Sequence, residues 1–250
     1  MSNVECADMN LVSRLTTAVR RKGCLQVLAE APQYIQDRYE EFQNRWYSER
    51  AHKSNLQFDL RYGVETSLVV PVENLDVFCK EHVSRYQPIN EKLFHQSFAR
   101  LQIDHSQYAF IDYGSGKGKA LILASMFPFR KIIGIEFSSA LCSICEHNLG
   151  VLCSRKQQRE RFEVICADAR DYVLPAEPMV LFFYNPFRDV LMEAVILDIT
   201  DSLRANPRPA WIVYCVPVHA HYLERSGCFD RVDSTKQFSL YKAKRQDCNG

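Results

Sequence analysis

The chain has 250 residues, enough for one α/β domain with an additional lobe, and 47% of them are apolar, so a full core can be buried. The formal net charge is +1, without the basic excess that marks a dedicated nucleic-acid binder, although a local basic patch stays open. Ten cysteines spread from Cys6 to Cys248, the N-terminus has no apolar signal core, and no apolar run approaches the roughly 18 residues of a membrane span. The expectation is a chain in a reducing, cytoplasmic setting with free thiols and no membrane contact.

Residues 1–95 read as an N-terminal helical segment or lid, with few strand signals. Arg14, Arg20, Arg21 and Lys22 fit a solvated helix face. Ile35, Tyr39, Phe42 and Trp46 recur at steps of four, three and four, which predicts an amphipathic helix packed on its own domain. A less regular stretch follows from Phe58 to Thr66, and Pro71 interrupts any long helix. Asn90 caps a predicted helix running to about Leu101, with Leu93, Phe94, Phe98 and Leu101 inward.

Residues 96–250 alternate strand and helix. Tyr108–Ile111 is the first predicted strand and Gly118–Phe127 its crossover helix. Lys131–Glu136 is the second strand, followed by a helix that Ser138 or Ser139 caps and that places Leu141, Ile144, Cys145 and Leu149 on one side. Phe162–Cys166 is the third strand. Met179–Tyr184 is nearly all apolar, as a strand covered on both faces must be. Met192, Ile196, Ile199 and Leu203 mark a helix, Trp211–Cys215 a fifth strand, and Cys228 to Lys242 a hairpin turning near Asp233–Lys236. The expected class is α/β: a parallel sheet of five strands with a C-terminal antiparallel hairpin and helices on both faces.

In such a sheet ligands bind at the carboxyl ends of the strands. Four groups converge there. Asp112 and the run Gly114-Ser115-Gly116-Lys117-Gly118 close strand one, Glu136 closes strand two, Asp168 follows strand three, and Asn185-Pro186-Phe187 follows strand four. The glycines let the chain turn tightly and come close to a ligand, and an acid at the tip of strand two can accept from both ribose hydroxyls. The spacing is G-x-G-x-G, since position 119 is Lys, and Asp112 precedes it. Both details point away from a dinucleotide. Lys117 and Lys119 do not make a phosphate loop, because its leading glycine is missing and Lys117 is followed by Gly. Cys142 and Cys145 form a C-x-x-C on one helix face, with His147 and Cys153 nearby. No second ligand pair has zinc spacing, so they are expected in the core and no metal site is expected.

Over about residues 86–242 the chain resembles the class I S-adenosylmethionine-dependent methyltransferases, whose first motif the Asp112-x-Gly114-x-Gly116-x-Gly118 run matches. The resemblance implies the Rossmann-like seven-stranded methyltransferase fold and S-adenosyl-L-methionine as cofactor. It places Gly114, Ser115, Gly116 and Gly118 along the methionine and ribose portion, Asp112 toward the methionine amino group, Glu136 on the ribose hydroxyls, Asp168 on the adenine amino group and Ala169 beside the ring. Arg61–Thr66 and Tyr86–Ile89 resemble an uncharacterised subgroup in which the segment ahead of the domain folds over the cofactor, with Tyr86 near the sulfonium. Asn185-Pro186-Phe187 resembles the tetrapeptide of methyltransferases that act on nitrogen, in which an amide oxygen and a proline-region carbonyl hold the target amine and an aromatic ring stacks on it. Here it is one proline short. Tyr184 adds an aromatic wall that favours a cation. His219 and His221, just past strand five, are candidates for removing the proton of a cationic target, or else surface histidines.

The resulting expectation is an S-adenosylmethionine-dependent methyltransferase, monomeric by default, acting on a nitrogen of a protein side chain or small molecule rather than on nucleic acid. A catalytically inactive binding or scaffolding protein and a nicotinamide-dependent oxidoreductase stay open, as does the identity of the acceptor.

Overall fold

The computed structural model describes residues 52–76, 84–156 and 159–244. The expectations for Arg14 to Lys22 and for the stripe from Ile35 to Trp46 lie outside the described residues. The described residues form one compact unit.

Helix α1 (52–62) leads into an irregular stretch, and Val72–Asn74 makes a single 3-10 turn. Helix α2 (Glu91–Phe98) starts at Asn90, whose side chain accepts from the backbone N–H of Lys92 and Leu93 and satisfies two donors of the first turn. Strand β1 (Ala109–Tyr113) and helix α3 (Lys119–Ala124) flank the glycine run. β2 (Lys131–Glu136), α4 (Ser139–Lys156), β3 (Phe162–Cys166), β4 (Met179–Tyr184), α5 (Asp189–Ala205) and β5 (Ala210–Cys215) follow in alternation. The chain closes with α6 (Ala220–Ser226), β6 (Phe229–Ser234) and β7 (Phe238–Ala243).

The seven strands form one sheet in the order β3-β2-β1-β4-β5-β7-β6. β1 pairs in parallel with β2 and β4, β2 with β3, and β4 with β5. β7 runs antiparallel between β5 and β6. This is the Rossmann-like seven-stranded methyltransferase fold that the resemblance implies. The order reverses beside β1, and there β1 and β4 carry the two segments of interest on neighbouring strands.

The core lies in two layers. On one face Phe58 of α1, Leu93, Phe94 and Phe98 of α2, most of α3, and Cys145, Leu149 and Leu152 of α4 cover Phe110, Ile132 and Phe182. On the other, Met192, Val195, Ile196, Ile199 and Leu203 of α5 and Leu223 of α6 cover Ile111, Ile133, Leu181, Phe183 and Ile212. β4 therefore reads as an unbroken apolar run because both of its faces are covered. Segment 52–95, grouped by sequence with the N-terminal lobe, contributes Phe58, Ile89, Leu93 and Phe94 to the same layer as the sheet. Among the described residues no helix is long and apolar enough to cross a membrane.

Candidate active site

The glycine run is shaped by three left-handed backbone positions, with φ of 78° at Gly114, 53° at Gly116 and 82° at Gly118. L side chains rarely adopt that region, so glycine is the residue for this turn. Space is equally limiting. A methyl group at Gly114 would lie 2.6 Å from Pro186 Cβ, one at Gly116 2.2 Å from the Tyr86 ring, and one at Gly118 2.5 Å from Cys145 Sγ. The backbone N–H groups of Gly114 and Ser115 both donate to the Ile135 carbonyl at 2.9 and 3.0 Å, which ties the loop to the end of β2.

Glu136 completes that tie. Its Oε2 accepts from Gly116 N–H at 2.8 Å, and its Oε1 accepts from Phe137 and Ser138 N–H at 3.0 and 2.9 Å. Burial pushes its carboxyl up, against the pull of the three N–H donors. Oε2 keeps acceptor capacity for a hydroxyl group, which fits a ribose. Ser138 caps α4, accepting at Oγ from Leu141 N–H at 3.3 Å. Its hydroxyl and that of Ser139 both donate to Asp76, whose carboxyl these bonds hold down at about 2.

A strap from the preceding chain covers the loop. Val70 and Tyr86 exchange backbone hydrogen bonds at 3.1 and 3.0 Å, and the Tyr86 hydroxyl donates to the Thr66 carbonyl at 2.8 Å. Asp59 of α1 accepts from Thr66 N–H, Thr66 Oγ1 and Ser67 N–H, which shapes the turn out of the helix. Buried Asn148 of α4 joins strap to loop: its Oδ1 accepts from Glu65 N–H at 2.8 Å, and its Nδ2 donates to the carbonyls of Glu65 and Lys117. Lys117 Nζ meets Glu65 at 2.8 Å and lies 5.7 Å from the centre of the Tyr86 ring. Lys119 Nζ donates to Asn55 at 2.5 Å, over the Phe58 ring, and burial lowers its pKa to about 8. Of the two lysines that invite a phosphate-loop reading, Lys117 thus ties the strap to the loop and Lys119 ties α1 to it.

At the end of β4, Asn185 has φ of 44°, strained for a residue with a side chain, and its Oδ1 is buried without a hydrogen-bond partner. Ser115 Oγ is a second buried polar atom without one. Val216, just past β5 and thus beside Asn185 across the Tyr184–Cys215 pair, has φ of 53°. Two strained residues on adjacent strand ends mark this edge of the sheet.

Gly114, Gly116, Glu136, Tyr86 and Pro186 are therefore brought together. Three residues stand differently from their expected roles. The Pro186 carbonyl already accepts from Ser84 N–H at 3.1 Å, inside the strap. Phe187 is buried in the α5-side layer, with no open face on which an amine would stack. Asp168 is held by Arg170 through Nε at 3.0 Å, Nη2 at 2.6 Å and the backbone N–H at 2.9 Å, which keeps its carboxyl low. Ala169 is buried beside it, and half-buried Tyr184 is approached by Gln87 Nε2 at 3.5 Å. His219 Nδ1 lies 3.1 Å from Asp189 Oδ1, so it is a paired histidine, whereas the His221 ring rests on Tyr222. Cys142 and Cys145 are buried free thiols, and Cys142 donates to the Glu136 carbonyl.

Sequence reasoning missed Asn148, Asp76, Asp59 and Arg170. A polar residue at an inward position of α4, such as Asn148 between Cys145 and Leu149, was the one signal available for them.

The donor set fits S-adenosylmethionine: a carboxylate with spare capacity for hydroxyls at Glu136, a buried acid at Asp112 for an ammonium, and a loop too tight for any side chain. No family model matches the chain, and no curated protein matches it. Solved structures resemble it in fold. One is the precorrin-6y C5,15-methyltransferase of Geobacter metallireducens, 14% identical with a TM-score of 0.43, the match covering 62% of this chain and 88% of that one. Another is the ribosomal protein L11 methylase of Lactobacillus delbrueckii subsp. bulgaricus, 12% identical with a TM-score of 0.45, covering 62% and 78%.

Proposed function

We propose that this chain is an S-adenosylmethionine-dependent methyltransferase that methylates a nitrogen of a protein side chain or small molecule. The observation that carries the nitrogen reading is the Asn185 carboxamide oxygen, buried, partnerless and held at a strained φ beside the glycine loop. An unpaired buried acceptor is costly, and a donor N–H from the acceptor substrate removes that cost.

The bound cofactor supplies an activated methyl group on sulfur. Everything else is positioning. Asn185 Oδ1 accepts one N–H of the target and turns its lone pair toward the methyl carbon, roughly 3 Å away. With Pro186 O engaged by Ser84 and Phe187 in the core, Asn185 does this with the Tyr184 ring as the remaining wall. The strap excludes water from the loop side.

The test is transfer of labelled methyl from S-adenosylmethionine to fractionated proteins and metabolites, by wild type and by Asn185→Ala. The variant should bind cofactor nearly as wild type and lose about 100-fold or more in rate. Equal turnover by the two proteins would remove Asn185 from this role.

A further inference from the structure

Asp112 is the next-to-last residue of β1 and is 3% exposed. Its carboxyl has no hydrogen-bond partner among the described residues, unlike Glu136, which accepts three N–H groups. The titratable groups that face it come from four elements: Glu136 from β2, Tyr86 from the strap, Cys145 from α4 and Cys215 from β5. Each of them is neutral or negative, never positive. The two nearby lysines are committed elsewhere, Lys117 to Glu65 and Lys119 to Asn55. A carboxylate buried with no cation and no donor is far more costly than the neutral acid, so the group keeps its proton. Burial, and after it the Glu136 charge, accordingly push its pKa well above the usual carboxylate range.

A carboxyl placed this way has no cation beside it among the described residues, and a ligand can bring one. We infer that ligand docking at this loop is coupled to the loss of one proton from Asp112, which turns from acid to carboxylate as the ligand's ammonium arrives. The proposal rests on the reading of the site as one for S-adenosylmethionine, whose methionine portion carries that ammonium. The balance is simple. The neutral acid and the ammonium become an ion pair, and the proton passes to the buffer. Because protons are released, binding strengthens as pH rises until the ligand's own amino group begins to lose its charge. A ligand without a cation at this position gains nothing from Asp112 and leaves it protonated.

The experiment is calorimetric titration of the full chain with S-adenosylhomocysteine at about pH 6, where the ligand's amino group is already charged. Two buffers of different ionisation heat give the proton count. The expected result is net proton release by wild type, up to about one, with affinity rising as pH rises by up to about tenfold per pH unit. Asp112→Asn should release none, bind at least about tenfold more weakly at pH 7 and show a flat pH profile. A wild-type count of zero overturns the proposal while leaving the methyltransferase reading in place. So does an unchanged count in Asp112→Asn, which would assign the proton to another group such as Glu136. Absence of binding in every buffer would instead overturn the reading of the site. Should Asp112→Asn fail to fold by its melting curve, Glu136→Gln takes its place: release that persists in this variant supports Asp112 as the source, and release that disappears assigns the proton to Glu136 and overturns the proposal.

Discussion

Asp168 shows how one neighbour changes what a residue offers. Its position after β3 suits an acceptor for an adenine amino group, yet both of its oxygens already serve Arg170. That pair is largely exposed on the arginine side, and exposed pairs contribute about 0–1 kcal/mol. If a ligand's amino group competes with Arg170 for Asp168, then Arg170→Ala should tighten cofactor binding up to about fivefold. Titration of the variant checks this, and weaker binding would mean that Arg170 itself contacts the ligand. Asn185 carries the opposite condition, an acceptor with nothing on it. The contrast between an occupied acid and a vacant amide could not be read from identities alone, because Asp168 and Asn185 look equally suited to their roles in the sequence.

The strap is the element that the sequence showed least clearly. The strands were legible because each is a short apolar run ended by a turn: the boundaries of β2, β3 and β4 coincide with those expected, and β5 gains only Ala210. The Asn90 cap and the inward Leu93, Phe94, Phe98 and Leu101 were legible for the same local reason, although α2 stops at Phe98. The strap has no period. It is held by side chains that come from far along the chain, such as Asn148 reaching Glu65. No local pattern encodes those bonds, and likewise nothing local told Gly116 that its neighbour would be the Tyr86 ring. Asn148→Ala deletes three hydrogen bonds at a fully buried position and leaves their backbone partners unsatisfied. It should cost about 2–4 kcal/mol by denaturant unfolding, with faster hydrogen exchange across residues 64–70. A change below about 0.5 kcal/mol would show that the strap is held by other contacts.

At the scale of the whole molecule, strand order decides where the chemistry sits. The hairpin places β7 beside β5, while β1 and β4 sit at the middle of the sheet and carry the glycine loop and Asn185 side by side. The same packing leaves buried titratable groups that act on the stability of the molecule in opposite directions. His105 packs among Phe98, Phe127 and Phe129, its Nε2 is buried without a partner, and burial lowers its pKa. Its folded-state pKa lies below the unfolded value of about 6.5, so the stability tied to its neutral form is present above about pH 6.5 and is lost as pH falls through the folded value. Asp112 runs the other way. Its folded pKa is raised, so its contribution is full below about pH 3.9 and is lost as pH climbs toward the folded value. Comparing His105→Leu with wild type isolates the histidine: the gap in melting temperature should shift in favour of the variant between about pH 7 and 5. A gap independent of pH would mean that His105 keeps its solution behaviour in the fold.

The central claim is that the Asp112–Gly118 loop with Glu136 holds S-adenosylmethionine. Titration of the purified chain with S-adenosylmethionine and S-adenosylhomocysteine, with NAD and NADP alongside, tests it most directly. Saturable binding of the first two alone is the predicted result. Binding of a nicotinamide dinucleotide in their place, or of none of the four, would contradict it.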